Sequence, residues 1–254
     1  MTFKQYIALG DSMSIDLYPA LDAGETDVSV ALEWDAHAGR VAPLGAASLL
    51  HTNADDRFPE FSGRDLVSLY PDIAYLNVAE DGATIGDVFG EQLTRISESD
   101  ERTLLTLTIG GNDLLSAYSN RPSPDLLHAV VRDIGDAYEF LVESLARARP
   151  NATLVLTTVY DPSDETRKIP GVFEESGPLP LDALAQFNDR VRHVAAGAPN
   201  RLVGDVYRHF LGHGVTAVEG DRWYWKRSLV EPNAEGASEI RRQWLDVLDA
   251  ATKD

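Results

Sequence analysis

Five short runs rich in leucine, β-branched and aromatic residues, at positions 5–9, 73–79, 103–109, 153–160 and 201–206, alternate with stretches whose apolar residues recur every three or four positions. Strands and helices in strict alternation leave few architectures, because parallel neighbours must be joined by crossovers long enough to hold a helix. The alternation predicts an α/β chain with a parallel sheet covered on both faces, ordered 2-1-3-4-5. The helix after the third run is the most sharply written. Ser123 suits its cap and Pro124 its first turn, while Leu127, Val131, Ile134, Tyr138, Leu141 and Leu145 fall on one face. A second amphipathic run carries Leu181, Leu184, Phe187, Val191 and Val194. A last one starts at Asn233 and aligns Ala237, Ile240, Trp244 and Leu248. With 254 residues, no internal repeat and no linker-like stretch, residues 1–254 read as one domain. The connection from 14 to 70 is far longer than an ordinary loop. It is expected to be an insertion that forms part of a pocket, with Tyr18, Trp34, His37, His51, Phe58 and Phe61 as its large side chains.

Charge and composition remove whole classes of function. Against 22 Lys and Arg stand 41 Asp and Glu, a net −19, so nucleic acid and anionic membrane surfaces are expected to be repelled. There is no cysteine, which excludes thiolate catalysis, disulfides and cysteine-bound metals. No His/Asp cluster has metal-ligand spacing, and no glycine-rich phosphate loop follows the first strand, so no cofactor and no metal is expected. Residues 1–5 run into the first strand without an apolar leader, and no apolar run is long enough to span a bilayer; a cytoplasmic protein is the expectation. The sequence does not set an oligomeric state.

Three strand ends carry polar blocks. Gly10-Asp11-Ser12 follows the first run, which puts Ser12 where open parallel sheets bind ligands and makes it a candidate nucleophile. Glu80-Asp81-Gly82-Ala83-Thr84 follows the second and Ile109-Gly110-Gly111-Asn112-Asp113 the third. In this order the blocks resemble the first three signatures of the SGNH (GDSL-type) hydrolase family, Gly-Gly-Asn-Asp being the most specific. The resemblance spans nearly the whole chain. It implies a three-layer α/β/α sandwich with a flavodoxin-like, five-stranded parallel sheet, acting on a small-molecule ester or acylated substrate. It further implies an acyl-enzyme on Ser12, and an oxyanion held by the Ser12 and Gly82 N–H groups and the Asn112 side-chain amide. Asp11 and Asp113 are expected to brace loops rather than move protons.

The family's base is where this chain departs. Members resembling it carry Asp-x-x-His before the last helix, and here the stretch reads Ser228-Leu229-Val230-Glu231, with Pro232, Asn233 and Gly236 still in pattern. Three readings fit. Glu231 is the base if burial lifts its carboxyl toward neutrality. Alternatively His213, in Phe210-Leu211-Gly212-His213 after the fifth strand, reaches Ser12 from the same sheet edge. In the third reading the chemistry is impaired and the chain is a ligand-binding or partner-binding module.

Overall fold

The computed structural model describes residues 2–24, 41–120, 122–171 and 177–252. Each of the five expected runs forms a strand: β1 (Gln5–Gly10), β2 (Ala74–Asn77), β3 (Thr103–Thr108), β4 (Thr153–Thr157) and β5 (Arg201–Gly204). They pair in parallel in the order β2-β1-β3-β4-β5, the order expected from sequence. β1 is central, in register with β3 from Gln5↔Thr103 to Gly10↔Thr108. Because side chains alternate across a strand, β1 feeds two separate cores. Ile7 and Leu9 point into one layer and Tyr6 and Ala8 into the other, all fully buried.

The first layer is built by α6 (Pro124–Ala148) and α7 (Leu181–Ala196). Ser123 caps α6 by accepting from the Leu126 N–H, and Leu127, Val131, Tyr138, Leu141 and Leu145 are buried as their spacing predicts. The opposite layer is built by α9 (Ala234–Ala251), whose Ile240 and Trp244 are fully buried. The Trp244 indole N–H donates to Thr157 Oγ1 at 3.0 Å, giving its one polar atom a partner inside the core.

The described part of the 14–70 insertion folds into α1 (Leu17–Asp22), α2 (Ala46–His51), a 3₁₀ turn (Pro59–Phe61) and α3 (Leu66–Leu69), and packs on the α9 side. Trp34 and His37 lie outside the described residues. Arg241 of α9 locks the insertion in place. Its buried guanidinium sits 3.6 Å from the centre of the Phe61 ring and donates to Leu49 O, Asn53 Oδ1 and Ser238 Oγ. Short helices also precede and follow the strand ends: α4 (Ile85–Asp87), running into a π-helical turn (Val88–Gln92), α5 (Gly111–Ser119) and α8 (Val206–Phe210).

One element was not expected from sequence. Tyr224–Trp225 (β6) and Ser228–Pro232 (β7) pair as an antiparallel hairpin with an irregular register, directly ahead of α9. Asn233 joins the two. Its Oδ1 accepts from the Gly236 N–H at 2.8 Å as the helix cap, while its Nδ2 donates to Arg222 O at 2.7 Å. Among the described residues, no helix is long and apolar enough to cross a membrane.

Candidate active site

The site grows out of the end of β1. Gly10 has φ +125°, and a Cβ there would stand 1.7 Å from Thr108 O, so both the backbone angle and the proximity of β3 require glycine. The chain then turns sharply. Asp11 N–H donates to Thr108 O at 2.9 Å, and the Asp11 carboxylate accepts from Met13 N–H at 3.2 Å, the loop-bracing role expected of it. Ser12 is thereby held at the sheet's carboxyl edge with 9% of its surface exposed.

A second clasp holds this turn from the other side. Gln92, fully buried in the π-helical turn, accepts from Gly10 N–H and donates to Gly10 O, both at 2.8 Å. Its carboxamide stands in for the neighbouring strand that Gly10 has outrun. The same device recurs on β4, where buried Asn188 of α7 accepts from Val159 N–H and donates to Val159 O, again at 2.8 Å. That is why the run expected at 153–160 ends as a strand at Thr157: beyond it, a side chain satisfies the backbone. Neither amide was singled out from sequence, since a lone Gln or Asn on a helix carries no sign of what it will meet.

The second and third blocks meet the first. Asn112, in the first turn of α5, donates through Nδ2 to Ala83 O at 2.9 Å, which ties the third block to the residue after Gly82. An amide nitrogen carries two hydrogens, so one N–H is left for another acceptor. Asp113 accepts from Ile85 N–H at 3.2 Å and binds the same two loops together. Gly82 has φ +70°, and a Cβ there would meet nothing within 4 Å; backbone angle rather than crowding is what makes it glycine.

Ser12, Asn112 and Glu231 open onto one cavity of about 130 Å³. Gly82 is not on its wall, nor is any described residue of the 14–70 insertion. The insertion contributes nearby through Tyr18, whose hydroxyl donates to Asp81 at 2.9 Å. Glu231 lies on β7, at the rim left by the hairpin. Burial pushes its carboxyl up to about 7, the charge of Asp81 adds to that, and a hydrogen bond with the Ser12 side chain pulls the other way. One oxygen, Oε2, is fully enclosed with no hydrogen-bond partner. Burial likewise lifts Asp11 to about 7, against the hydrogen bonds from Met13 and Thr108 and with some help from Glu231.

His213 faces elsewhere. Its ring stacks flat on Trp223 at 3.5 Å and 3°, and Nδ1 is within 3.0 Å of Asp221 O. It is not on the cavity wall. His51 stacks on Tyr75 at 4.3 Å in the insertion. Among the described residues, no group of three or more His, Asp or Glu could hold a metal.

The model of the GDSL-like lipase/acylhydrolase family matches residues 8–238. The chain belongs to this family. As a GDSL-like acylhydrolase it is an SGNH-type esterase or acylhydrolase, and its sheet is the one that solved members share. The extracellular lipase of Streptomyces rimosus is similar over 98% of this chain and 99% of its own, at 20% identity and a TM-score of 0.54. The phospholipase A1 of Streptomyces albidoflavus NA297 is likewise 20% identical, over 98% of this chain and 100% of its own, with a TM-score of 0.53. An acetylxylan esterase from Geobacillus stearothermophilus, in a catalytic-mutant form, gives 16% identity and a TM-score of 0.60 over 97% and 94% of the two chains. No curated protein matches this GDSL-like chain in sequence.

Proposed function

We propose that this acylhydrolase cleaves esters through an acyl-enzyme on Ser12, with Glu231 as the base in place of the histidine its family resemblance would supply. The observation that carries this reading is that the mostly enclosed carboxyl of Glu231, raised by burial to about 7, opens onto the same cavity as the Ser12 side chain. An ordinary carboxylate is too weak a base for a serine hydroxyl near neutrality, and burial removes much of that mismatch. The carboxylate takes the Ser12 proton as Oγ attacks the acyl carbon. The resulting oxyanion accepts hydrogen bonds from Ser12 N–H, Gly82 N–H and the second N–H of Asn112. Collapse expels the alcohol, which leaves with the proton from Glu231. Water then attacks the acyl-enzyme, giving a proton to Glu231, which passes it to the departing Ser12 Oγ as the acid is released.

Two variants separate the readings. Glu231→Gln keeps the shape but not the base, and is expected to lose at least about 100-fold in kcat. His213→Ala is expected to keep turnover within a few-fold. The reverse outcome would give the base to His213. A serine-directed phosphonate should label the wild-type protein once and the Ser12→Ala variant not at all; no labelling between pH 5 and 9 would favour a binding module over an enzyme.

A further inference from the structure

The wall of the cavity is far more selective than a general ester site needs. Away from Ser12 it is closed by Leu114 and Leu115 of α5, Leu127 of α6, Leu184 of α7, and Ile169 and Leu179 of the loops between β4 and α7. Among the described residues, the Tyr118, Tyr160 and Asp161 side chains on its wall are already engaged within the protein. The Tyr118 hydroxyl donates to Gly177 O and Pro178 O, and the Tyr160 hydroxyl donates to Val230 O at 2.7 Å. The Asp161 carboxylate accepts from Ser163 N–H and Glu165 N–H at 2.9 and 2.8 Å. Of the described residues, no Lys or Arg lines it. A sugar hydroxyl pressed against the leucines would lose water and gain no partner from them, at a cost of about 1–3 kcal/mol. A phosphate or carboxylate would find no cation among the described lining residues, and would share the cavity with the carboxyls of Asp11 and Glu231.

We infer that this end is an acyl pocket for a neutral aliphatic chain of roughly four to eight carbons, the alcohol being left toward solvent. The inference rests on the hydrolase reading above and goes beyond it to the acyl group. The size follows from the volume: the cavity of about 130 Å³, its Ser12 end included, is close to one that takes a six-carbon ring. Each methylene buried there is worth about fourfold in kcat/KM until the pocket is full. Acetate leaves the space empty, and a long chain must leave part of itself in water.

The test is a p-nitrophenyl ester series with acetyl, butanoyl, hexanoyl, octanoyl, palmitoyl and hemisuccinyl groups, run beside hexanoates of several alcohols. The expected result is hexanoate or octanoate ahead of acetate by on the order of 100-fold in kcat/KM, hemisuccinate below butanoate, and little dependence on the alcohol. Leu184→Trp fills the pocket and should cut the hexanoate-to-acetate ratio at least tenfold. Leu184→Ala, less demanding to fold, should move the optimum to a longer acyl chain. A preference for acetate, a flat series, or a chain-length effect that follows the alcohol would overturn the acyl pocket while leaving Ser12 chemistry standing. Failure of every ester together with failure of ethyl and hexyl phosphonates to label Ser12 would overturn both.

Discussion

A glutamate that replaces a histidine must work from the opposite charge state, because its active form is an anion where imidazole is neutral. Desolvation decides whether that is feasible. A folded-state value near 7 for Glu231, above the ordinary carboxyl range, means the ionised base accumulates only as pH rises through neutrality. kcat/KM is therefore expected to rise along a limb centred at about pH 7 and then level off. Asp81 contributes to that elevation through its charge. Asp81→Asn removes the charge, lowers the Glu231 value and should shift the limb to lower pH; a limb that stays put would show that another group controls it. Gln92 offers a different test at this scale. Gln92→Leu orphans the buried Gly10 N–H and leaves Gly10 O with the Glu80 N–H as its remaining donor, and is expected to cost about 2 kcal/mol in stability. If the clasp also positions Ser12, kcat falls while KM changes little, a split that a purely stabilising residue would not produce.

At the scale of elements, what the chain made legible was whatever one local pattern decides. The five strands, their order, and the caps Ser123 and Asn233 all follow from periodicity and turn chemistry within a few residues. The Ser12, Asn112 and Glu231 positions were legible too, through motif order and through a departure from an otherwise intact pattern. The hairpin that carries Glu231 was not. β6 has only two residues, β7 ends in Pro232, and the pairing is irregular, so neither alternation nor a glycine turn announces it. Its geometry is set instead by Asn233, which reaches back to Arg222 O while capping α9. Asn233→Asp keeps the cap but loses that donated bond, whereas Asn233→Ala loses both. Denaturant midpoints should place Asn233→Ala about 1–2 kcal/mol below wild type, with Asn233→Asp between them. Both variants should lose kcat/KM if the hairpin's placement governs Glu231.

Across the whole molecule, the sheet's two faces have separate duties. One layer, α6 and α7, walls the cavity, and the other carries the insertion and α9. The insertion is fastened to α9 by Arg241, whose buried guanidinium is pushed down to about 10 by desolvation and is held by ring and carbonyl contacts, with surface pairs such as Arg64–Asp249 and Arg242–Glu60 around it. Arg241→Leu leaves Asn53 and Leu49 acceptors unpaired and loses the Phe61 contact, for an expected loss of about 3 kcal/mol by chemical denaturation. The proposed acyl-chain preference of the folded protein should survive it, since neither α9 nor the described part of the insertion lines the cavity. Ser12 stands in the turn after the first strand and Glu231 on the last hairpin, so their meeting requires the polypeptide to be organised from one extremity to the other. Turnover then counts only fully completed molecules. A refolding trace followed by catalysis should lag one followed by backbone signals, making hydrolysis a strict gauge of native yield.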